Sequence, residues 1–300
     1  MIRLSAFATL AALLLNPAPV PLGAEVITSA LGRTDAAPSQ ATAAPGPLVS
    51  TEWLAQHIDD PRVRVVATGD QGRYARGHIP GARFVEHMDT LGGGDGHHLA
   101  APDALAAMLA KAGVTDGMHV VLYGDSPMTT GWVFMAMASV GHGGDVSFLD
   151  GSVELWRAEG RTVQTTAPAA ASGTLTVRSA PDVIVDAKYV RGRLESPDVR
   201  VLDVRTTGEW NGGHLPGATL ILWQDLYADQ RTLKFKSPEE LRALFAKAGV
   251  KPGQQVVTYC AVGMRASLMY FAARMTGLPA RVYLGSWQDW SHDATNPVVK

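Results

Sequence analysis

The hydrophobic positions of this chain form short β-branched runs separated by longer amphipathic segments. Val63 to Ala67 and Val199 to Val204 have the length and composition of buried strands. Two segments, Pro102 to Lys111 and Ser237 to Lys247, are typical of helices. The second begins with a serine N-cap, a proline and a glutamate three residues after the cap. Alternating strands and helices predict an α/β fold in which helices cover both faces of a parallel sheet.

This pattern occurs twice along the chain. Gly77–Ala82 (GHIPGA) recurs as Gly213–Ala218 (GHLPGA), 136 positions later. A KAGV segment and an apolar run ending in tyrosine, at Tyr123 and Tyr259, recur at the same spacing. Closer to the C-terminus, Gly151-Ser152 recurs as Gly285-Ser286 at a spacing of 134. Repeats of this length are tandem domains, because the units of solenoid proteins are much shorter.

Composition divides the chain into five predicted segments. They are a signal peptide (1–24), a flexible leader (25–47), a first domain (48–164), a linker (165–181) and a second domain (182–300). The linker is rich in Ala, Thr and Ser, and its Leu175–Val177 portion alternates enough to predict a short strand.

The N-terminal segment is typical of an export signal. A short positive start precedes an apolar run from Leu4 to Leu15, and a proline-containing stretch then leads to Ala24. This run is too short to span a bilayer as a helix, which disfavours an uncleaved membrane anchor. We expect cleavage after Ala24, or alternatively after Ala30. The mature chain would then work outside the cytoplasm, in a bacterial periplasm, without a membrane attachment.

Composition and charge restrict the possible partners. Hydrophobic residues make up 46% of the chain and charged residues 18%, which is typical of a globular protein. The formal net charge of −2 provides no basic field, which argues against nucleic acid as a partner. We expect a monomer that acts on small molecules.

Cys260 is the only cysteine among 300 residues. It follows the run that ends at Tyr259 and begins a short loop that ends at Arg265, before an apolar helix. Ligands of parallel sheets bind beyond the carboxyl ends of the strands, and loop N–H groups, a helix N-terminus and an arginine all favour a thiolate. A free cysteine is often a buried hydrophobic side chain. Cys260, however, lies in a turn, and it has no second cysteine to pair with in a chain predicted to be exported, where cysteines usually form disulfides. We therefore predict that it is a nucleophile.

Several motifs together resemble the tandem rhodaneses, which are sulfurtransferases. They are the two Gly-His-Ile/Leu-Pro-Gly-Ala segments, the Asp203-Val204-Arg205 strand end, the Cys260–Arg265 loop and the ending YLGSWQDW at 283–290. The resemblance covers about residues 48–300. It implies two rhodanese-like α/β domains, each a parallel sheet flanked by helices, of which the second is active and the first is catalytically silent.

The resemblance also implies a mechanism. The Cys260 thiolate would attack the outer sulfur of thiosulfate and release sulfite, and the resulting persulfide would pass its sulfur to a thiol or to cyanide. Arg265 and Arg205 would stabilise charge on the donor and on the leaving group, and Asp203 would hold Arg205 in place. No cofactor or metal is implied. The residues assigned to substrate binding are Ala261, Val262, Gly263, Met264 and His98.

The first copy lacks the residues that carry this chemistry. At the repeat spacing, Gly124, Thr129, Ala67 and Gly69 take the places of Cys260, Arg265, Asp203 and Arg205. The first domain would therefore pack against the second and wall its cleft. The adjacent histidines His97 and His98 could suggest a metal site, but Asp95 is the only further ligand nearby, and structural metal sites need about four ligands.

Three other functions stay open. Sulfurtransferases that use 3-mercaptopyruvate share the fold and the nucleophile, but their loops carry a hydroxyl where this chain has Val262 and end in threonine where it has Arg265. Cysteine phosphatases of related fold place one more residue between cysteine and arginine, to cradle a phosphate. A persulfide carrier or an interaction module would need no turnover at all.

Overall fold

Two parallel sheets of five strands each form the framework of the chain. The computed structural model describes residues 45–92, 98–178, 180 and 183–300. The predicted signal peptide and nearly all of the predicted leader lie outside these residues, as do His97 and Asp95 of the discounted metal site. Within the described ranges, no helix has the length and apolar character needed to cross a membrane.

The first sheet and its helices come from the first copy of the repeat. Its strands are β1 (Leu48–Val49), β2 (Val63–Thr68), β3 (Arg83–Phe84), β4 (His119–Gly124) and β5 (Val146–Leu149). Its helices are α1 (Thr51–His57), α2 (Gln71–Arg76), α3 (Pro102–Lys111), α4 (Pro127–Ser139) and α5 (Val153–Ala158). Two 3-10 turns, His87–Thr90 and Gly143–Asp145, complete this part.

The second copy repeats this order and adds a hairpin. Its strands are β6 (Ile184–Val185), β7 (Val199–Asp203), β8 (Thr219–Leu220), β9 (Tyr227–Asp229), β10 (Lys234–Phe235), β11 (Gln255–Tyr259) and β12 (Ala280–Tyr283). Its helices are α6 (Ala187–Arg191), α7 (Thr207–Asn211), α8 (Pro238–Lys247), α9 (Met264–Met275) and α10 (Ser286–His292), with a 3-10 turn at Trp223–Leu226. Strands β9 and β10 pair antiparallel outside the main sheet.

The two sheets have the same topology. Their strand orders are β1-β5-β4-β2-β3 and β6-β12-β11-β7-β8, and every neighbouring pair is parallel. The register is also preserved, because Tyr123 lies opposite Ala67 in the first sheet and Tyr259 lies opposite Asp203 in the second. The predicted fold of two α/β domains with parallel sheets flanked by helices is confirmed.

The repeated Gly-His-Ile/Leu-Pro-Gly-Ala segments serve the fold in both copies. The His78 ring stacks on Tyr74 with centroids 3.9 Å apart, and the His214 ring stacks on Trp210 at 3.6 Å. Nδ1 of each histidine lies within hydrogen-bond distance of the carbonyl oxygen of its stacking partner, at 2.9 and 3.3 Å. Each histidine therefore ties its turn to the preceding helix.

One hydrophobic core runs through both domains. Helices α4 and α9 pack against each other at its centre, and aromatic side chains from both copies meet there. The Phe148 and Phe271 rings are stacked at 3.6 Å, and Phe134 meets Phe271 edge-on at 5.0 Å. The contact between the domains is thus built like a protein interior, which holds their relative orientation.

The predicted short strand at Leu175–Val177 is wrong. Thr176 donates its backbone N–H and its hydroxyl to the Asp116 carboxylate, and the Arg178 N–H donates to the Val140 carbonyl oxygen. The backbone N–H groups of the segment thus bind a side chain and the end of α4, and no strand ladder forms. Alternation of side chains alone does not reveal where the backbone groups bind.

A close approach of α4 to α9 gives the first prediction. A Cβ at Gly131 would lie 2.7 Å from both Cα and N of Leu268, so Gly131→Ala should push the helices apart. We expect a loss of about 1–3 kcal/mol in the free energy of unfolding, measured by urea denaturation. In the matched control, Gly208→Ala, the new Cβ meets nothing within 4 Å, and helix propensity favours alanine by up to about 1 kcal/mol. Equal stability of the two variants would contradict this view of the interface.

Candidate active site

Strand β11 determines the direction in which Cys260 points. Side chains alternate between the two faces of a strand. Val256 and Cys260 therefore join the core shared by the two domains, whereas Val257 and Tyr259 join a separate core on the other face of the sheet. Cys260 lies just beyond the carboxyl end of this central strand and faces the domain interface.

The loop after Cys260 aims a backbone N–H group at the sulfur. The Gly263 N–H donates to Cys260 Sγ at 3.1 Å, and α9 begins at the next residue. Gly263 has φ 88°, in the left-handed region that favours glycine. A Cβ at this position would lie 2.6 Å from Leu284 Cδ1 and 3.2 Å from Trp132 Cζ3. Both the backbone conformation and the space therefore require glycine.

The first domain supplies one wall of this loop. Trp132 of α4 is buried and reaches Gly263, and its indole N–H donates to the Thr90 hydroxyl at 2.7 Å. Thr90 belongs to the 3-10 turn that follows the first Gly-His-Ile-Pro-Gly-Ala segment. The sequence predicts that the first domain walls the cleft, but Trp132 itself carries no signal apart from lying in the helix that follows β4.

Cys260 is completely buried, with an exposed fraction of 0%. This corrects the expectation that a turn position would keep the thiol out of the core. The loop folds back over the sulfur, and of its residues Val262 is the most exposed, at 40%. The sulfur is therefore a member of the shared core and at the same time the acceptor of a backbone hydrogen bond.

Arg265 forms an ion pair that the sequence did not predict. Its Nη1 and Nη2 donate to the two carboxylate oxygens of Glu209, both at 2.7 Å. The pKa of Arg265 is raised, first by these hydrogen bonds and also by the neighbouring Cys260 sulfur. The hydrogen bond from Arg265, with further ones from Thr206, lowers the pKa of Glu209 to about 2. The guanidinium is thus held charged in the loop, with its charge compensated by Glu209.

A sequence signal for Glu209 did exist. Thr206 and Glu209 form a capping box at the start of α7, in which the Thr206 hydroxyl accepts from the Glu209 N–H and the carboxylate accepts from the Thr206 N–H. The Thr-x-x-Glu spacing after β7 identifies such a cap. It does not reveal that the same carboxylate also binds an arginine 56 residues further along the chain.

Arg205 and Asp203 do not face the thiol, which corrects the expectation that Arg205 stabilises the donor. Arg205 donates to both oxygens of Asp203 and to the Gly213 carbonyl, at 2.6–3.0 Å, and its guanidinium lies 4.5 Å from the Trp287 ring centre. Burial opposes its charge, but the bonds to Asp203 prevail and the pKa of Arg205 is raised. Strand alternation puts this pair on the Tyr259 face of the sheet, opposite to Cys260.

The other residues assigned to substrate binding have different surroundings. The Ala261 carbonyl accepts from the Gln288 N–H at 3.1 Å, and Met264 is half-buried against the shared core. His98 lines a cavity of about 420 Å³ together with the Leu284–Gly285 segment, and Cys260 does not line it. His98 thus lies beside the segment that supports the loop rather than beside the sulfur.

The equivalent position in the first domain has no room for a nucleophile. A Cβ at Gly124 would lie 2.5 Å from Thr68 Oγ1 and 2.7 Å from the Thr68 carbonyl oxygen. The Thr68 hydroxyl instead shares hydrogen bonds with Thr129 and Thr130, at 3.3 and 3.0 Å. A side chain at this position of the first copy would therefore collide with Thr68, and the residue there carries no thiol. In the described part of the chain, no group of three or more His, Cys, Asp or Glu side chains could hold a metal ion.

Comparison with known proteins identifies relatives of both domains. The family model described as "Rhodanese-like domain" matches residues 50–159 and 186–293. The chain is 30% identical to a sulfur carrier protein, TtuD, from Thermus thermophilus, over 85% of this chain and 97% of the relative. It is 29% identical to a thiosulfate sulfurtransferase from Azotobacter vinelandii, over 82% and 94% of the two chains. It is 25% identical to a 3-mercaptopyruvate sulfurtransferase from Escherichia coli, over 83% and 96%.

A solved structure shares the fold. The crystal structure of SseA from Escherichia coli, described as a 3-mercaptopyruvate sulfotransferase, superimposes with a TM-score of 0.70. The two chains are 24% identical, and the match covers 81% of this chain and 99% of SseA. At this identity, the match supports the arrangement of the two domains and leaves the choice of substrate open.

The Glu209–Arg265 pair gives the second prediction. The ordinary pKa of a glutamate is 4.5, and here it is lowered to about 2. A carboxylate whose pKa is lowered by folding stabilises the fold at any pH above its pKa in the unfolded chain. This contribution is lost as the pH falls towards the pKa in the folded protein. Glu209→Gln should therefore lower Tm by a few degrees at neutral pH, and the difference should shrink as the pH falls from 4.5 to 2. Glu239→Gln, on the exposed first turn of α8, is the control. A Tm difference independent of pH would refute the pairing.

Proposed function

The chain belongs to the rhodanese-like family of sulfurtransferases, and we propose that it transfers the outer sulfur of thiosulfate to a thiol or cyanide through a persulfide on Cys260. The observation that carries this proposal is the hydrogen bond from the Gly263 N–H to Sγ at the start of α9. A donor N–H and a helix N-terminus both stabilise negative charge on sulfur, and the thiolate is the nucleophilic form of cysteine.

The proposed reaction has two displacement steps. The Cys260 sulfur donates an electron pair to the outer sulfur of thiosulfate, a new S–S bond forms, and the donor's S–S bond breaks with its electron pair leaving on sulfite. The acceptor then attacks the outer sulfur of the persulfide, and the Cys260 thiolate leaves. Neither step needs an external oxidant or reductant. In the first, one S–S bond replaces another, and in the second, the acceptor's new bond to sulfur (S–C for cyanide, S–S for a thiol) replaces the S–S bond of the persulfide.

Arg265 is the charged residue best placed to assist both steps. Its guanidinium lies beside the Cys260 sulfur and is held there by two hydrogen bonds to Glu209. Glu209 compensates the positive charge of Arg265. We therefore propose that Arg265 assists by donating hydrogen bonds from its remaining N–H groups to a sulfite oxygen, rather than through an uncompensated charge. Arg205 and Asp203 support the strand end from the opposite face.

Burial of the thiol adds a condition to this mechanism. Cys260 has no exposed surface, so a donor reaches it only after the loop or the side chains around it shift. Val262 is the most exposed residue of the loop and lies between the buried Cys260 and Gly263. We therefore propose that movement at residues 261–263 admits the donor, and that the closed state keeps other oxidants and electrophiles away from the thiol.

The choice of donor rests on two loop positions. A loop with Val262 and Arg265 offers a guanidinium and no hydroxyl, which suits the oxygens of a sulfonate-like group. The relative from Azotobacter vinelandii named as a thiosulfate sulfurtransferase supports this choice, and the relative from Escherichia coli named for 3-mercaptopyruvate keeps the alternative in view. The relative named as a sulfur carrier supports a third candidate, a persulfide carrier without turnover.

The third prediction tests the nucleophile. Cys260→Ser should lower thiosulfate:cyanide sulfurtransferase activity by at least roughly a thousandfold, as removal of a covalent nucleophile does in other enzymes. Wild-type protein incubated with thiosulfate should gain the mass of one sulfur atom, and the variant should gain none. Glu239→Gln, on the exposed first turn of α8, is the control and should keep the sulfur adduct. Full activity of Cys260→Ser would exclude the proposed mechanism, whereas a stable adduct that no acceptor discharges would favour the carrier.

The fourth prediction concerns the donor. We expect kcat/KM for thiosulfate to exceed that for 3-mercaptopyruvate. In the double variant Val262→Ser/Arg265→Thr, the ratio should move towards 3-mercaptopyruvate by roughly tenfold or more, because one hydrogen bond to a charged group contributes about 1.5–3 kcal/mol. Faster use of 3-mercaptopyruvate by the wild-type protein would reverse the assignment of the donor.

A further inference from the structure

The two copies share a Gly-Ser turn before their last helix, but it folds differently in each. In the first copy, Gly151 takes the positive φ, at 146°, and Ser152 is extended at φ −131°. The Ser152 hydroxyl then accepts from the Leu155 N–H at 3.2 Å, as an ordinary helix cap. No hydrogen bond joins Ser152 to Gly124 in the described residues.

In the second copy, the left-handed conformation moves one residue along the chain. Gly285 has an ordinary helical φ of −58°, and Ser286 has φ 56° although it carries a Cβ. Ser286 is completely buried and does not cap α10. Its hydroxyl instead accepts from the Cys260 N–H at 3.1 Å and donates to the Tyr283 carbonyl at 2.9 Å. A serine in a conformation that favours glycine, with a glycine adjacent, indicates that the hydroxyl position matters.

The first turn of α10 completes a clamp on the backbone around the thiol. The Trp287 N–H donates to the Cys260 carbonyl at 2.9 Å, and the Gln288 N–H donates to the Ala261 carbonyl at 3.1 Å. Together with the Ser286 hydroxyl, these bonds fix the peptide groups on both sides of Cys260. We refer to residues 286–288 as the α10 clamp.

The clamp has a chemical consequence at the sulfur. Two loop carbonyls are turned towards α10, so their partial negative charges do not face Sγ, and the Gly263 N–H is left to donate to it. We infer that Ser286 is a positioning residue for sulfur transfer, whose hydroxyl fixes the Cys260 peptide in the orientation that aims the thiol at its donor. This inference rests on the proposed role of Cys260 as the nucleophile.

The fifth prediction separates this role from simple support of the fold. Ser286→Ala should lower kcat with thiosulfate about 10- to 100-fold with KM little changed, because a displaced nucleophile reacts more slowly without weakening donor binding. The rate at which Cys260 gains one sulfur atom in a single turnover, followed by mass spectrometry, should fall by the same factor.

Two variants separate the hydroxyl from the strained backbone and from stability. Ser286→Gly relieves the positive φ and should have a higher Tm than Ser286→Ala while being equally slow. Ser152→Ala removes the serine at the same motif position in the silent copy. It should lower Tm through the lost cap and leave kcat unchanged.

The outcomes distinguish this inference from the proposed function. If wild-type protein forms a persulfide and Ser286→Gly retains wild-type kcat, or if Ser152→Ala slows the reaction as much as Ser286→Ala does, the positioning role of Ser286 is excluded. If wild-type protein gains no sulfur from thiosulfate, 3-mercaptopyruvate or a small-molecule persulfide, the proposed function fails, and this inference fails with it.

Discussion

The hydrogen bond from the Gly263 N–H to the Cys260 sulfur is the interaction on which the site depends. It requires a left-handed residue without a Cβ at position 263, because Leu284 and Trp132 occupy the neighbouring space. It also requires that the loop carbonyls point away from the sulfur. The N–H groups of Trp287 and Gln288 in α10 donate to the Cys260 and Ala261 carbonyls and hold them in that direction. This bond fixes the orientation of the sulfur relative to the start of α9.

The alternation of side chains along the strands explains which site residues lie on which face of the second sheet. Cys260 faces the interface core, whereas Asp203 and Arg205 face the opposite core with Tyr259. Asp203 and Arg205 are buried together and neutralise each other. A second ion pair, between Glu209 and the Arg265 guanidinium, does the same beside the Cys260 loop. Each arginine therefore has a fixed orientation, and only Arg265 is near the sulfur.

The fold and the position of the candidate nucleophile could be predicted from the sequence because they depend on local patterns. Strand runs, helix caps and the repeat spacing specify two parallel sheets, and the loop after β11 specifies where the only thiol lies. The rest depends on backbone conformation and on contacts between distant segments. Ser152 and Ser286 occupy the same position in the repeat, yet one caps a helix and the other binds the Cys260 N–H. Composition cannot distinguish them, nor can it show that Glu209 reaches Arg265.

The first domain contributes to the structure around the Cys260 loop of the second. Its own loop position is closed, since even a Cβ at Gly124 would collide with Thr68. Its helix α4, however, packs against α9 in the shared core and places Trp132 against the loop glycine. Gly131 allows the close approach to Leu268. The second domain alone would expose the apolar face of α9 and lose one wall of its loop. The thiol belongs to one copy, but the surroundings of its loop are built by both.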